Sequence, residues 1–80
     1  MQINVNIYAY LRYYLPGREK LFQEKEWNVP DGATVDHILE KINLPKEVRV
    51  MVLLNNNSVD HKAALKEGDI VHILPMMMGG

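Results

Sequence analysis

The sequence predicts an α+β domain in which a mixed sheet of four to five strands packs on one main helix. Three observations carry this. Residues 2–10 alternate, with Ile3, Val5, Ile7 and Ala9 on one side and Asn4, Asn6, Tyr8 and Tyr10 on the other, the period-two pattern of a half-buried strand. Val35, Ile38, Leu39 and Ile42 recur at i, i+3, i+4 and i+7, which is one face of a helix. Residues 70–74, Ile-Val-His-Ile-Leu, form an apolar, β-branched run that belongs inside a sheet.

The remaining elements follow in order. Residues 11–15 are short and apolar-rich, and Pro16-Gly17 stops them, so a helical turn or an irregular loop is expected. A second strand is expected over residues 21–29, where Lys25, Trp27 and Val29 alternate weakly, making an open hairpin with the first. Pro30-Asp31-Gly32 has turn chemistry. Thr34 stands where an N-cap belongs, and Asp36 in the first turn suits the helix dipole. The helix, Val35–Ile42, is expected to end at Asn43-Leu44-Pro45, because a residue before proline resists the α region. Residues 48–54 read as a third strand, central or covered on both faces. The three asparagines at 55–57 make a turn, residues 58–61 a short strand, and residues 63–65 a single turn. Glu67-Gly68-Asp69 turns the chain into the last strand, most simply placed beside the first. This order is the β-grasp, or ubiquitin-like, arrangement. It is expected to occupy residues 1–75, with residues 76–80 as a flexible tail.

Composition narrows the function. The 80 residues make one small domain, and the absence of Cys excludes disulfides, thiolate metal sites and a thiol nucleophile. Nine basic and ten acidic residues are interspersed for a formal net charge of −1, so no nucleic-acid partner is expected. No run approaches the ~20 apolar residues that span a bilayer. The start of the chain lacks a basic region followed by a long apolar one. The expectation is a cytoplasmic protein without a membrane partner. No G-x-G-x-x-G, P-loop or G-x-S-x-G motif is present, and His37, His61 and His72 share no metal-ligand spacing. Neither a metal, a bound cofactor nor a self-sufficient enzyme is expected.

The end of the chain carries the functional signal. Gly79 and Gly80 have no Cβ, so an arm ending on them can enter a tunnel closed to larger residues. Chain ends are ordinarily frayed, so the preceding residues have to decide the meaning of this pair. If Ile3, Val5, Ile7, Val71 and Ile73 face the helix, then Tyr8, Tyr10, Met51, Leu53, Ile70, His72 and Leu74 face away. That face is too apolar for a solvated one, and its Tyr and Met suit a partner surface. Met76, Met77 and Met78 suit an adaptable segment seated in a partner groove.

Val52-Leu53-Leu54-Asn55, then Asp60-His61, Leu65, Gly68-Asp69, Val71, Pro75 and Gly79-Gly80 occur in an order that resembles the MoaD and ThiS family of ubiquitin-like sulfur carriers. Tyr8-Ala9-Tyr10-Leu11-Arg12 is similar to that family's exit from the first strand, and the likeness runs over nearly the whole chain. The methionine triplet is not the family's usual spacer. The resemblance implies that Gly80 supplies a carboxylate that is adenylated and converted to a thiocarboxylate. It implies that Gly79 gives passage and that Met76, Met77 and Met78 line the entrance. Tyr8 and Leu74 correspond to apolar contact positions, with His72 and Pro75 beside them on the partner side. The implied partners are a ubiquitin-activating-enzyme-like adenylyltransferase that uses ATP, a persulfide sulfur donor, and the large subunit of molybdopterin synthase. Length and the Asp60-His61 turn favour this molybdopterin branch. Carriers for thiamin, cysteine, tungsten cofactor or tRNA thiolation share the ending, as does a ubiquitin-like protein modifier.

Overall fold

A computed structural model describes residues 1–76 of the chain. Its strands are β1 (Gln2–Ile7), β2 (Glu26–Asn28), β3 (Val50–Leu54), β4 (Asn57–Val59) and β5 (Ile70–Pro75). A 3-10 helix (Ala9–Tyr14), a single helical turn α1 (Lys20–Gln23) and the main helix α2 (Val35–Ile42) complete it. The five strands form one mixed sheet in the order β2-β1-β5-β3-β4. β5 runs parallel to β1, with Val5 opposite Val71 and Ile7 opposite Ile73. It runs antiparallel to β3, with Val52 opposite Ile73 and Met51 opposite Leu74. This is the β-grasp arrangement that the order of elements predicts.

The core lies between one sheet face and α2. Ile3, Val5, Val52, Val71 and Ile73 point inward from the sheet and meet Val35, Ile38 and Ile42 of the helix, all buried. α2 begins and ends where its periodicity places it, but it starts by a different device. Thr34 is extended and makes no side-chain cap. The first two amides of the helix instead donate to the carbonyls of Ala63 (3.0 Å) and His61 (2.8 Å), which satisfy groups that a helix start leaves open. Residues 63–65 are consequently not a turn. Ala64 bridges Thr34, and the Leu65 amide donates to the Ala33 carbonyl at 2.9 Å. The far end of α2 closes on Asn43 in the left-handed region (φ 56°). Arg18 adds to it, its guanidinium donating to the carbonyls of Ile42 (2.6 Å) and Lys41 (3.0 Å).

Tertiary packing shortens three of the expected strands. The first stops at Ile7 rather than residue 10, because Leu11 and Leu15 turn into the core from the 3-10 helix and its exit. The second keeps residues 26–28 only. Leu21 and Phe22 pack from a helical turn, where adjacent positions serve one side. The Trp27 indole N–H then donates to the Glu24 carbonyl at 2.9 Å and closes the link. The third begins at Val50 and lies inside the sheet, but it is covered on its inner face alone, with Met51 exposed on the other. Asn55 and Asn56, with φ of 50° and 72°, form a two-residue hairpin turn between β3 and β4.

One polar pair ties the sheet together at the start of β5. Asp69, buried, accepts from the Asn55 side-chain amide (3.0 Å) and from the Lys66 main chain (2.7 Å). The Asn55 carbonyl oxygen of the side chain takes the Ile70 amide at 2.9 Å. Removing one partner of such a buried pair leaves the other unsatisfied, which costs about 1–3 kcal/mol. We therefore expect Asp69→Ala to lower unfolding stability by about 1–3 kcal/mol in urea titration, whereas Ile73→Ala, which opens a core cavity, lowers it by about 2–5 kcal/mol.

Candidate functional site

The face of the sheet turned away from α2 is fixed by the strand register. Asn4 pairs with Ile70, and Asn6 with His72. His72 also pairs with Leu53, and Leu74 with Met51. Cross-strand partners share a face, so these side chains form one continuous surface over β1, β5 and β3. Ser58 of β4 extends it opposite Leu53. No Lys, Arg, Asp or Glu stands at an outward position of these four strands. A carboxylate, Glu26, shares the face from the edge strand β2, opposite Asn4, and Arg49 continues the Met51 row past the start of β3. Ile70 and Met51 are exposed, while His72, Leu53 and Leu74 are half-buried.

Tyr8 continues the outward row past the end of β1. Its amide donates to the Ile73 carbonyl at 2.8 Å, which sets it beside Leu74, and 52% of its surface is open to solvent. Tyr10, expected on the same strand face, sits instead on the 3-10 helix beyond the sheet. There it lines a cleft of ≈ 450 Å³ with Tyr14, Pro45, Arg49, Pro75 and Met76. A second cleft, ≈ 440 Å³, lies between Leu39, Leu44, Val48, Arg49, His61 and Met76. Met76 thus stands between two clefts at the point where the chain leaves the sheet. It is held there by one more ladder bond, from its amide to the Arg49 carbonyl at 2.9 Å.

The predicted partner-side residues Tyr8, His72, Leu74, Pro75 and Met76 therefore fall on one side and one end of the sheet. The expectations placed on Met77, Met78, Gly79 and Gly80 lie outside the described residues. Arg49, Pro45 and Val48 were not singled out by sequence reasoning; only the pairing of β3 with β5 brings them to the exit. His61 lies off this face, its Nδ1 3.4 Å from an Asp36 carboxylate oxygen, a contact that no sequence spacing indicates. Among the described residues no three His, Asp or Glu side chains gather as a metal site, and no helix is long and apolar enough to cross a membrane.

The comparisons bear on this geometry directly. The ThiS family profile matches residues 11–80. The chain belongs to the ThiS family. This ThiS-family chain shares its fold with a Pyrococcus furiosus protein assigned as molybdopterin converting factor, subunit 1, at a TM-score of 0.72 and 22% identity, over 96% of this chain and 99% of that one. It is also similar to SAMP1 from Haloferax volcanii, at a TM-score of 0.68 and 18% identity over the full length of both chains. No curated protein matches the chain. Family and fold together make it a ubiquitin-like sulfur carrier of the MoaD and ThiS kind.

An uncharged surface held for a partner, rather than for packing, has a simple signature. Substituting Met51→Glu should leave unfolding stability within about 0.5 kcal/mol, as expected for a solvent-facing position, and a loss well above that in thermal denaturation would show that the face supports the fold itself.

Proposed function

We propose that the chain acts as the small, sulfur-carrying subunit of a molybdopterin-synthase-like enzyme, with the reaction confined to the Gly80 carboxylate. The observation that carries this is the placement of β5. It is gripped on both sides within the sheet, it presents His72 and Leu74 on an uncharged face, and it leads to Met76 at the sheet's end. Four residues follow Met76, a reach of at most about 14 Å. An enzyme working on Gly80 must therefore bring its own surface up to Met76, Leu74, Met51 and Tyr8. The family match, which continues through residue 80, and the likeness to a protein assigned as a molybdopterin converting factor subunit support the same reading.

The chemistry follows from the carboxylate. A carboxylate is ionised at neutral pH and resists nucleophiles. An ATP-using, ubiquitin-activating-enzyme-like partner transfers AMP to the Gly80 oxygen and releases pyrophosphate. The terminal sulfur of a persulfide donor then attacks the acyl carbon, and AMP leaves. A second thiol cleaves the sulfur–sulfur bond, giving the Gly80 thiocarboxylate and a disulfide on the donor side. In the large subunit the thiocarboxylate delivers its sulfur to a pterin precursor. Gly79 keeps the arm narrow enough for both active sites, and Met76, Met77 and Met78 adapt to the groove walls. This chain contributes binding, positioning and the carried atom, and the ATP belongs to its partner.

The test is intact mass after incubation with the adenylating enzyme of the same genome, ATP and a persulfide donor. The expected result is a gain equal to replacing one oxygen by sulfur, located on Gly80 by fragmentation and lost when a residue is appended after it. No gain, with adenylating enzyme that turns over ATP, would overturn the reading.

A further inference from the structure

His72 occupies a singular place on the outer face. Its neighbours in register are Asn6 on β1 and Leu53 on β3, and its neighbours along β5 on that side are Ile70 and Leu74. None of these titrates. The ionisable groups on the face are Tyr8, past the end of β1, Glu26, two strands away on β2, and Arg49, beyond Met51 at the end of β3. Asn6, which could have bonded the imidazole, donates its amide to Asn4 Oδ1 instead. None of the hydrogen bonds among the described residues uses the His72 ring. The ring is half-buried, and its polar atoms are left open at the centre of a charge-free surface.

We infer that His72 is the specificity-determining residue of this face: it docks as a neutral imidazole against an uncharged hydrogen-bond acceptor, such as a main-chain carbonyl, in the protein that acts on Gly80. The inference rests on the carrier reading above and names what that partner must present. A flat apolar face accepts many registers. One buried polar group accepts few, because a register that leaves it without a partner is penalised. A carbonyl suits the surroundings better than a carboxylate, since the one cation on these rows, Arg49, stands beyond Met51 and Leu74 at the end of the sheet and not beside the ring. Covering the ring also disfavours its protonated form. The sign is then fixed. The complex binds protons less readily than the free chain, so affinity falls as pH drops.

The test measures the dissociation constant for the adenylating enzyme at about pH 7.5 and about pH 5.5, on either side of the usual imidazole value near 6.5. The wild-type chain should weaken about tenfold at the lower pH, because a ring covered on binding has to shed its proton first. His72→Asn, which keeps a donor without titrating, should bind within about threefold of wild type at the higher pH and show no pH effect. His72→Leu should weaken about tenfold at the higher pH, because the partner's acceptor is stranded. His37→Asn, on α2 away from the face and the exit, should keep the wild-type pH effect. Equal pH effects in wild type and His72→Asn would overturn the inference, as would tighter binding at low pH, which marks a carboxylate opposite the ring. An affinity for His72→Leu equal to wild type would overturn it too. No binding by wild type at either pH would instead overturn the carrier reading on which it rests.

Discussion

Strand β5 is paired along both edges, parallel to β1 and antiparallel to β3. Everything else in the molecule follows from that double pairing. A strand so held cannot shift by one residue without turning Val71 and Ile73 out of the core and Ile70, His72 and Leu74 into it. The register of β5 is therefore set by burial, and with it the place where the chain leaves the sheet. The Asn55–Asp69 pair fixes the near end of the strand, and the bond from the Met76 amide to the Arg49 carbonyl fixes the far end. If the reacting atom is on Gly80, as proposed, this arrangement makes β5 the reference from which a partner locates it.

The same pairing separates two tasks between the faces. The inward residues of β1, β3 and β5 are aliphatic and meet α2, so the fold's stability is concentrated there. The outward residues contribute little to that core and are free to serve recognition. Their lack of charge is what distinguishes them from ordinary surface, since charged residues are depleted at the centre of protein interfaces. On the proposed reading, the chain supplies the docking face and the carried atom, and activation and transfer fall to partners.

Much of this was legible in the sequence. Helix α2 was, because the four apolar positions in eight residues fit one face and nothing else. The interior place of β5 was, because a β-branched run without charge has few alternatives. What escaped the sequence was set by contacts distant along the chain. Residues 8–10 continue the strand alternation, yet the chain leaves β1 after Ile7 so that Leu11 and Leu15 reach the core from the 3-10 helix and its exit, where a helical turn was expected. Thr34 looks like a cap, yet the helix amides find carbonyls from residues 61 and 63, nearly thirty positions on. Asn55 and Asp69, read as part of a family pattern, prove to be a structural clamp rather than part of the docking face. Tyr8, His72 and Leu74 were placed by simple alternation, whereas Arg49 and Pro45 reach the exit only through the fold.

The central claim is that the charge-free face of the sheet and the end of β5 form a single docking surface for the enzymes that act on Gly80. The most direct measurement is a methyl NMR titration of the isotope-labelled chain with its adenylating enzyme. The account predicts that the methyl signals of Met51, Leu53, Ile70, Leu74 and Met76 shift or broaden together, while those of the buried Leu65 and Ile38 stay in place. Perturbation confined to Leu39 and Leu44, on the helix side of the exit, would contradict it.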